Sequence, residues 1–222
     1  MPQSTFFSDI GSMPITRRRT LMAGLAAGIS PWLAACDPRS AASTAPMAAP
    51  GFKGIDITGA DYAQDFALTD FHGTPHTLAD YRGRVVMLYF GFVQCPDVCP
   101  TALARAAEVL QRLGPQAASR VQLLFITVDP ERDTPALWQE YMAAFDPSFM
   151  ALTGSLDQIT ATAEAFRVYF KKVPTASTYT MDHTALTYLF DPAGQVRVAL
   201  RHEQTAADYA ADIQRLLGEG GA

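Results

Sequence analysis

Cysteine is scarce in this chain: 222 residues hold three, Cys36, Cys95 and Cys99. So few exclude a scaffold stapled by many disulfides, and the odd count leaves one thiol outside any pair. Basic residues are scarce too. Lysine and arginine number 17 against 22 acidic residues, a formal net charge of −5, and the one basic cluster is Arg17, Arg18 and Arg19. An acidic chain of this kind is a poor nucleic-acid binder, which removes that class of partner. Long apolar runs are missing as well. The longest mostly apolar stretch near the N-terminus, residues 21–35, falls short of the roughly 20 residues that span a bilayer. No segment repeats.

The beginning of the chain reads as an address. Polar residues lead to the arginine cluster, the apolar run comes next, and "LAAC" closes it at Cys36. "TRRRTLM" resembles a twin-arginine export signal, and "LAAC" resembles a lipoprotein box, whose cysteine becomes the lipidated first residue. An uncleaved anchor is the alternative, and both readings export the remainder of the chain. Asp37 directly after Cys36 resembles the signal that retains bacterial lipoproteins at the inner membrane. The expected organisation is an export and lipoprotein signal over residues 1–36, a flexible Ala- and Pro-rich linker over residues 37–53, and one domain over residues 54–222.

Within that domain, "DFALTDFHGTPHTLADYRG" alternates apolar positions around a turn at His72 and Gly73, which predicts a hairpin. "RVVMLYFGFV" and "VQLLFITVD" are nearly continuous apolar runs, the pattern of strands buried on both faces. A helix comes after each. Pro100 stands in the first turn of one, Thr134 and Pro135 open the next, and Ser155 caps a third. "TALTYLFD" and "QVRVAL" flank a turn at Pro192, Ala193 and Gly194 as an antiparallel pair, and "TAADYAADIQRLLG" closes the chain as a helix. The expected fold is α/β, a central mixed sheet flanked by helices with an N-terminal hairpin, which is the outline of a thioredoxin-like fold.

Cys95 and Cys99 fall in the turn between the first buried strand and its helix, four residues apart, so they face the same way about one turn from each other. The positive end of the helix favours thiolate over thiol. A disulfide switch, a metal clip and a structural staple all remain open from this pair alone, although three intervening residues depart from the two of thioredoxin-type enzymes. His183, in "YTMDHTALTYLFD", is expected in a polar turn before a strand, aimed over the sheet edge. Two thiolates and one imidazole form a soft, low-coordinate set suited to Cu(I) and able to hold Cu(II), whereas structural zinc normally takes four protein ligands. His72, His76 and His202 are expected to be solvated surface residues.

"GRVVMLYFGFVQCPDVCPTAL", "ITVDPERDTP" and "YTMDHTALTYLFDPAG", taken in that order, resemble the three signature blocks of the Sco/SenC family of copper-binding assembly factors for cytochrome c oxidase. The resemblance implies copper held by Cys95, Cys99 and His183, and a partner in the binuclear copper site of oxidase subunit II, with another periplasmic copper chaperone as a possible donor. Asp129 and Asp133 match a further family motif. Asp133 reads as a structural residue at the start of a helix, Asp129 as a support to the ligands or a partner contact, and Asp182 as a carboxylate able to orient the neighbouring imidazole. Oxidation to a Cys95–Cys99 disulfide would switch metal binding off. The same chemistry leaves two alternatives: a thiol-disulfide oxidoreductase that reduces the acceptor's cysteines, and a copper or redox sensor. The expected place of work is the periplasmic face of the bacterial inner membrane.

Overall fold

A computed structural model describes residues 51–220; Cys36, the signal and most of the linker lie outside the described residues. The elements in chain order are β1 (Ile55–Asp56), β2 (Ala67–Thr69), β3 (Pro75–Thr77), a 3-10 turn (Leu78–Tyr81), β4 (Val85–Gly91), α1 (Val98–Ala118), β5 (Val121–Thr127) and α2 (Pro135–Ala143). Next come β6 (Met150–Leu152), α3 (Leu156–Ala165), β7 (Phe170–Pro174), β8 (Tyr179–His183), β9 (Thr187–Phe190), β10 (Val196–Leu200) and α4 (Ala206–Glu219).

Six strands form the central sheet in the order β1-β10-β9-β4-β5-β6. β4, β5 and β6 run parallel, while β9 pairs antiparallel to β4 and β10 to β9. Every residue of β4 and β5 is buried, as expected for apolar strands covered on both faces. The result is a mixed sheet flanked by four helices, a thioredoxin-like fold. The expected N-terminal hairpin is β2–β3, turning through Gly73 at φ +80.

The helix starts reflect local chemistry. Thr134 accepts from the Leu137 amide and Pro135 fills the first position of α2; Ser155 and Gln158 form a reciprocal capping box on α3, and Thr205 and Asp208 another on α4. α1 is interrupted where the sequence suggested its end: Gly114 has φ +74, Pro115 comes next, and the chain resumes helical geometry to Ala118. β1 and β6 were too short to leave a periodic signal. β1 is held because Asp212, 2 % exposed on α4, accepts the Lys53 and Gly54 amides at 2.7 and 2.8 Å.

Two hairpins stand outside the central sheet, and the second, β7–β8, matters most for function. His183 is the last residue of β8, paired with Phe170, so it comes from a regular strand of a separate two-stranded sheet rather than from the polar turn that its sequence suggested. An isolated two-stranded sheet is marginal on its own. What ties it to the domain therefore decides where the imidazole sits.

Candidate metal centre

β4 ends at Gly91, and the loop after it carries Cys95 to the N-terminus of α1. Asp97, at the cap position, makes no side-chain cap bond; the Cys95 sulfur lies 3.4 Å from the Cys99 amide instead. A sulfur thus takes the role of a capping oxygen, facing amides and the positive end of the helix. Cys99, in the first turn, is turned inward against β4. A β-carbon placed on Gly91 would lie 2.8 Å from the Cys99 sulfur and 2.4 Å from Phe125 Cζ, so the sulfur occupies space that only glycine leaves open.

The three atoms Cys95 Sγ, Cys99 Sγ and one ring nitrogen of His183 lie within 4.8 Å of one another, and no other such group of His, Cys or carboxylate ligands occurs among the described residues. Cys99 Sγ is 3.6 Å from His183 Nε2. On the far side of the ring, Nδ1 lies 3.1 Å from the Thr184 carbonyl oxygen. A carbonyl only accepts, so Nδ1 carries the proton and Nε2 presents its lone pair to the sulfurs. Tyr89 and Phe92 meet the ring edge-on at 6.1 and 5.8 Å and restrict its rotation. Both cysteines are buried, Cys99 completely, and His183 is partly exposed. The three-ligand site is recessed, reached past the imidazole.

Burial pushes the Cys99 thiol far up, with the neighbouring Cys95 adding to the effect. The Cys95 thiol is lowered to about 4, chiefly because Cys99 donates to it, with burial opposing and the amides of residues 97 and 99 assisting. The metal-free pair is therefore one thiolate, Cys95, beside one thiol, Cys99.

Asp129 and Asp133 do different work. Asp133 is 3 % exposed and accepts from Thr127 Oγ1 at 2.7 Å and from the Val93 amide at 3.2 Å. It pins the cysteine loop to the end of β5, while Thr134 caps α2. Asp129 is 1 % exposed, pairs with Arg132 Nε and accepts the Tyr179 hydroxyl at 2.8 Å. Arg132 lies over the Tyr179 ring at 3.6 Å and donates through Nη1 to the Tyr179 carbonyl at 2.7 Å and to Gln94 Oε1 at 3.2 Å. This assembly clamps the start of β8 to the β5–α2 loop and to the residue preceding Cys95. The exposed Lys172–Glu131 pair adds little.

Asp182 does not orient the imidazole. Strand alternation sends it to the face opposite His183, where it is exposed, and the Thr184 carbonyl holds Nδ1. The other histidines stay outside the group. His72 is exposed, but His76 is engaged by the Tyr81 hydroxyl at 3.0 Å and Asp70 at 3.4 Å, and His202 is partly buried; the latter two are not the solvated residues expected. Arg132 lay inside the aspartate motif, and Tyr179 and Thr184 inside the histidine motif, without a local pattern to mark them, because each acts on a residue distant in sequence or through backbone.

The chain matches the SCO1/SenC family over residues 56–218, well over half its length. It therefore belongs to the SCO1/SenC family. Saccharomyces cerevisiae mitochondrial SCO2 is 41% identical over 138 residues, 61% of this chain and 46% of that protein; the chain spans about half the length of the curated relatives it matches first. Among solved structures, Bradyrhizobium japonicum ScoI with copper bound aligns with a TM-score of 0.63 and 44% identity, covering 69% of this chain and 98% of that one. A SCO1/SenC family lipoprotein of Bacillus anthracis aligns with a TM-score of 0.62 and 25% identity, covering 75% and 99%.

The supports of this Sco-family site generate two expectations. Arg132→Ala leaves the Asp129 carboxylate buried without its cation, which costs about 3–5 kcal/mol, and frees the hairpin. Hydrogen exchange should show the amides of residues 170–183 losing protection well ahead of those of β4 and β5; equal protection would refute the clamp. Asp133 gives a pH signature. Burial lifts its carboxyl from 3.8 to about 6, so folding favours its protonated form. Its contribution to stability is full below about 4 and is lost as pH rises through 6, by on the order of 3 kcal/mol. Denaturant midpoints from pH 4 to 7 should show the parent falling relative to Asp133→Asn, since the opposite trend of the lowered Cys95 thiol is common to both.

Proposed function

We propose that this protein is a copper metallochaperone of cytochrome c oxidase assembly, holding one copper ion through Cys95, Cys99 and His183. The observation that carries this reading is the convergence of two sulfurs and a lone pair on Nε2 within 4.8 Å. The donor set fits the ion: two soft thiolates and an imidazole suit Cu(I), accept Cu(II), and fall one ligand short of a closed zinc site. The solved copper-bound relative at 44% identity supports the same choice of metal.

Copper is cargo here rather than a resident cofactor. Cys95 stands ready as a thiolate, Cys99 must give up its proton as the metal enters, and the Nδ1–Thr184 bond keeps the correct imidazole nitrogen directed inward. Three ligands leave the ion open to an incoming donor, so transfer proceeds by ligand exchange, with His183 the ligand nearest solvent. The acceptor is the binuclear copper site of oxidase subunit II, and a second periplasmic copper chaperone is the donor. Residues 1–36 export the chain, Cys36 carries the lipid, residues 37–53 are the tether, and residues 54–222 work at the periplasmic face of the inner membrane. The lipoprotein relative supports the anchoring mode.

The split between the two thiols favours a second reading, thiol-disulfide exchange. A Cys95 thiolate would attack an acceptor disulfide, and Cys99 would then displace the acceptor as the Cys95–Cys99 disulfide forms, carrying two electrons to the acceptor.

Copper titration of the reduced protein separates the two. One copper per chain, lost in the Cys95→Ser, Cys99→Ser double variant, is expected. His183→Ala should weaken Cu(II) by at least about 10–100-fold while a two-thiolate Cu(I) complex partly survives. A parent that holds no copper but reduces disulfides would transfer the assignment to the oxidoreductase. Cys36→Ala should move the protein from the membrane fraction to the soluble one; retention in the membrane would favour an uncleaved anchor.

A further inference from the structure

The Tyr89 hydroxyl is buried and has no hydrogen-bond partner among the described residues. Leaving such a group unpaired costs about 1–3 kcal/mol, so its position calls for a reason. Tyr89 and Gly91 are two residues apart on β4 and share one face of the sheet. The Cys99 sulfur rests against that face at Gly91. The Tyr89 ring is held between Phe125, 5.5 Å away, and the edge of His183, so it has little freedom to turn elsewhere.

The packing points to the same neighbour. Phe125 Cζ crowds the Gly91 position that the Cys99 sulfur also fills, and His183 Nε2 is 3.6 Å from that sulfur, so both rings that hold Tyr89 border it. The hydroxyl therefore shares the pocket of the sulfur, and no hydrogen bond joins the two here. A thiol sulfur is a weak acceptor, whereas a thiolate is a strong one.

We propose that the Tyr89 hydroxyl donates a hydrogen bond to the Cys99 sulfur once that sulfur holds copper, making Tyr89 a positioning residue that tunes the site toward Cu(I). The proposal rests on the copper-chaperone reading above. A donor to sulfur draws electron density away from it. Cu(II) depends more on sulfur donation than Cu(I) does, so the bond weakens the Cu(II) complex relative to the Cu(I) complex. An apolar ring of the same shape would lack this effect and would also remove an unpaired hydroxyl from the metal-free protein.

The test compares the full-length parent with Tyr89→Phe, each loaded with Cu(II) and then with Cu(I). In the variant the thiolate-to-Cu(II) absorption band should move to lower energy, and the ratio of Cu(I) to Cu(II) affinity should fall about tenfold. The metal-free thermal midpoint should be unchanged or higher. A band in the same place with an affinity ratio within about twofold would overturn the proposal, since a hydroxyl with only a packing role moves stability and neither readout. The parent alone supplies a second check. In its diamagnetic Cu(I) form the Tyr89 hydroxyl proton should appear by NMR as a slowly exchanging resonance, and exchange as fast as in the metal-free protein would also overturn it. A parent without thiolate-bound copper is a different result, which removes the chaperone reading and this inference with it.

Discussion

The contact between the Cys99 sulfur and the bare backbone of Gly91 is the constraint around which this structure is arranged. β4 is buried along its whole length, and it ends where a side chain would collide with both the sulfur and the Phe125 ring. Glycine there lets α1 begin close against the sheet, which places Cys99 in a dry interior and leaves Cys95 at the helix terminus. The different character of the two thiols results from that placement. One sulfur meets amides and the positive end of a helix and ionises readily, while the other meets aromatic rings and keeps its proton.

The third group of the site comes from another part of the architecture. His183 ends a two-stranded hairpin that shares no ladder with the central sheet, so its position depends on side chains. Asp129, Arg132 and Tyr179 supply the tie, with one guanidinium bonded to a carboxylate, a backbone carbonyl and the amide side chain beside Cys95, and stacked on a tyrosine. Buried ion pairs of this kind contribute less to net stability than to keeping one arrangement. Here that arrangement brings an imidazole to two sulfurs. Asp133 performs the matching task for the cysteine loop, so the two acidic residues of one short segment support the two halves of the site.

Such a division suits a carrier. The sulfurs sit on rigid elements, and the imidazole nearest solvent sits on an element held by a few polar contacts, which belongs to the low end of local stability in a folded domain. A ligand that can yield first lies where an acceptor would arrive.

Much of this was legible in the residues. Continuous apolar runs marked β4 and β5, caps and prolines marked the helix starts, and the spacing of Cys95 and Cys99 at a strand-to-helix turn placed both sulfurs on one side of a helix end. Each is a short-range property, recorded by neighbours in sequence. The chemistry of the donors was legible for the same reason, since softness and charge belong to the side chain itself. The sequence alone therefore determined the strand-turn-helix frame and the kind of ion that the donors would suit. Tertiary structure alone decided that His183 lies on a strand, that Thr184 rather than Asp182 holds its ring, that Arg132 ties the hairpin down, and that Tyr89 faces Cys99. Those facts depend on contacts between segments tens of residues apart and on the pleat that sends adjacent side chains to opposite faces, and no local pattern encodes them.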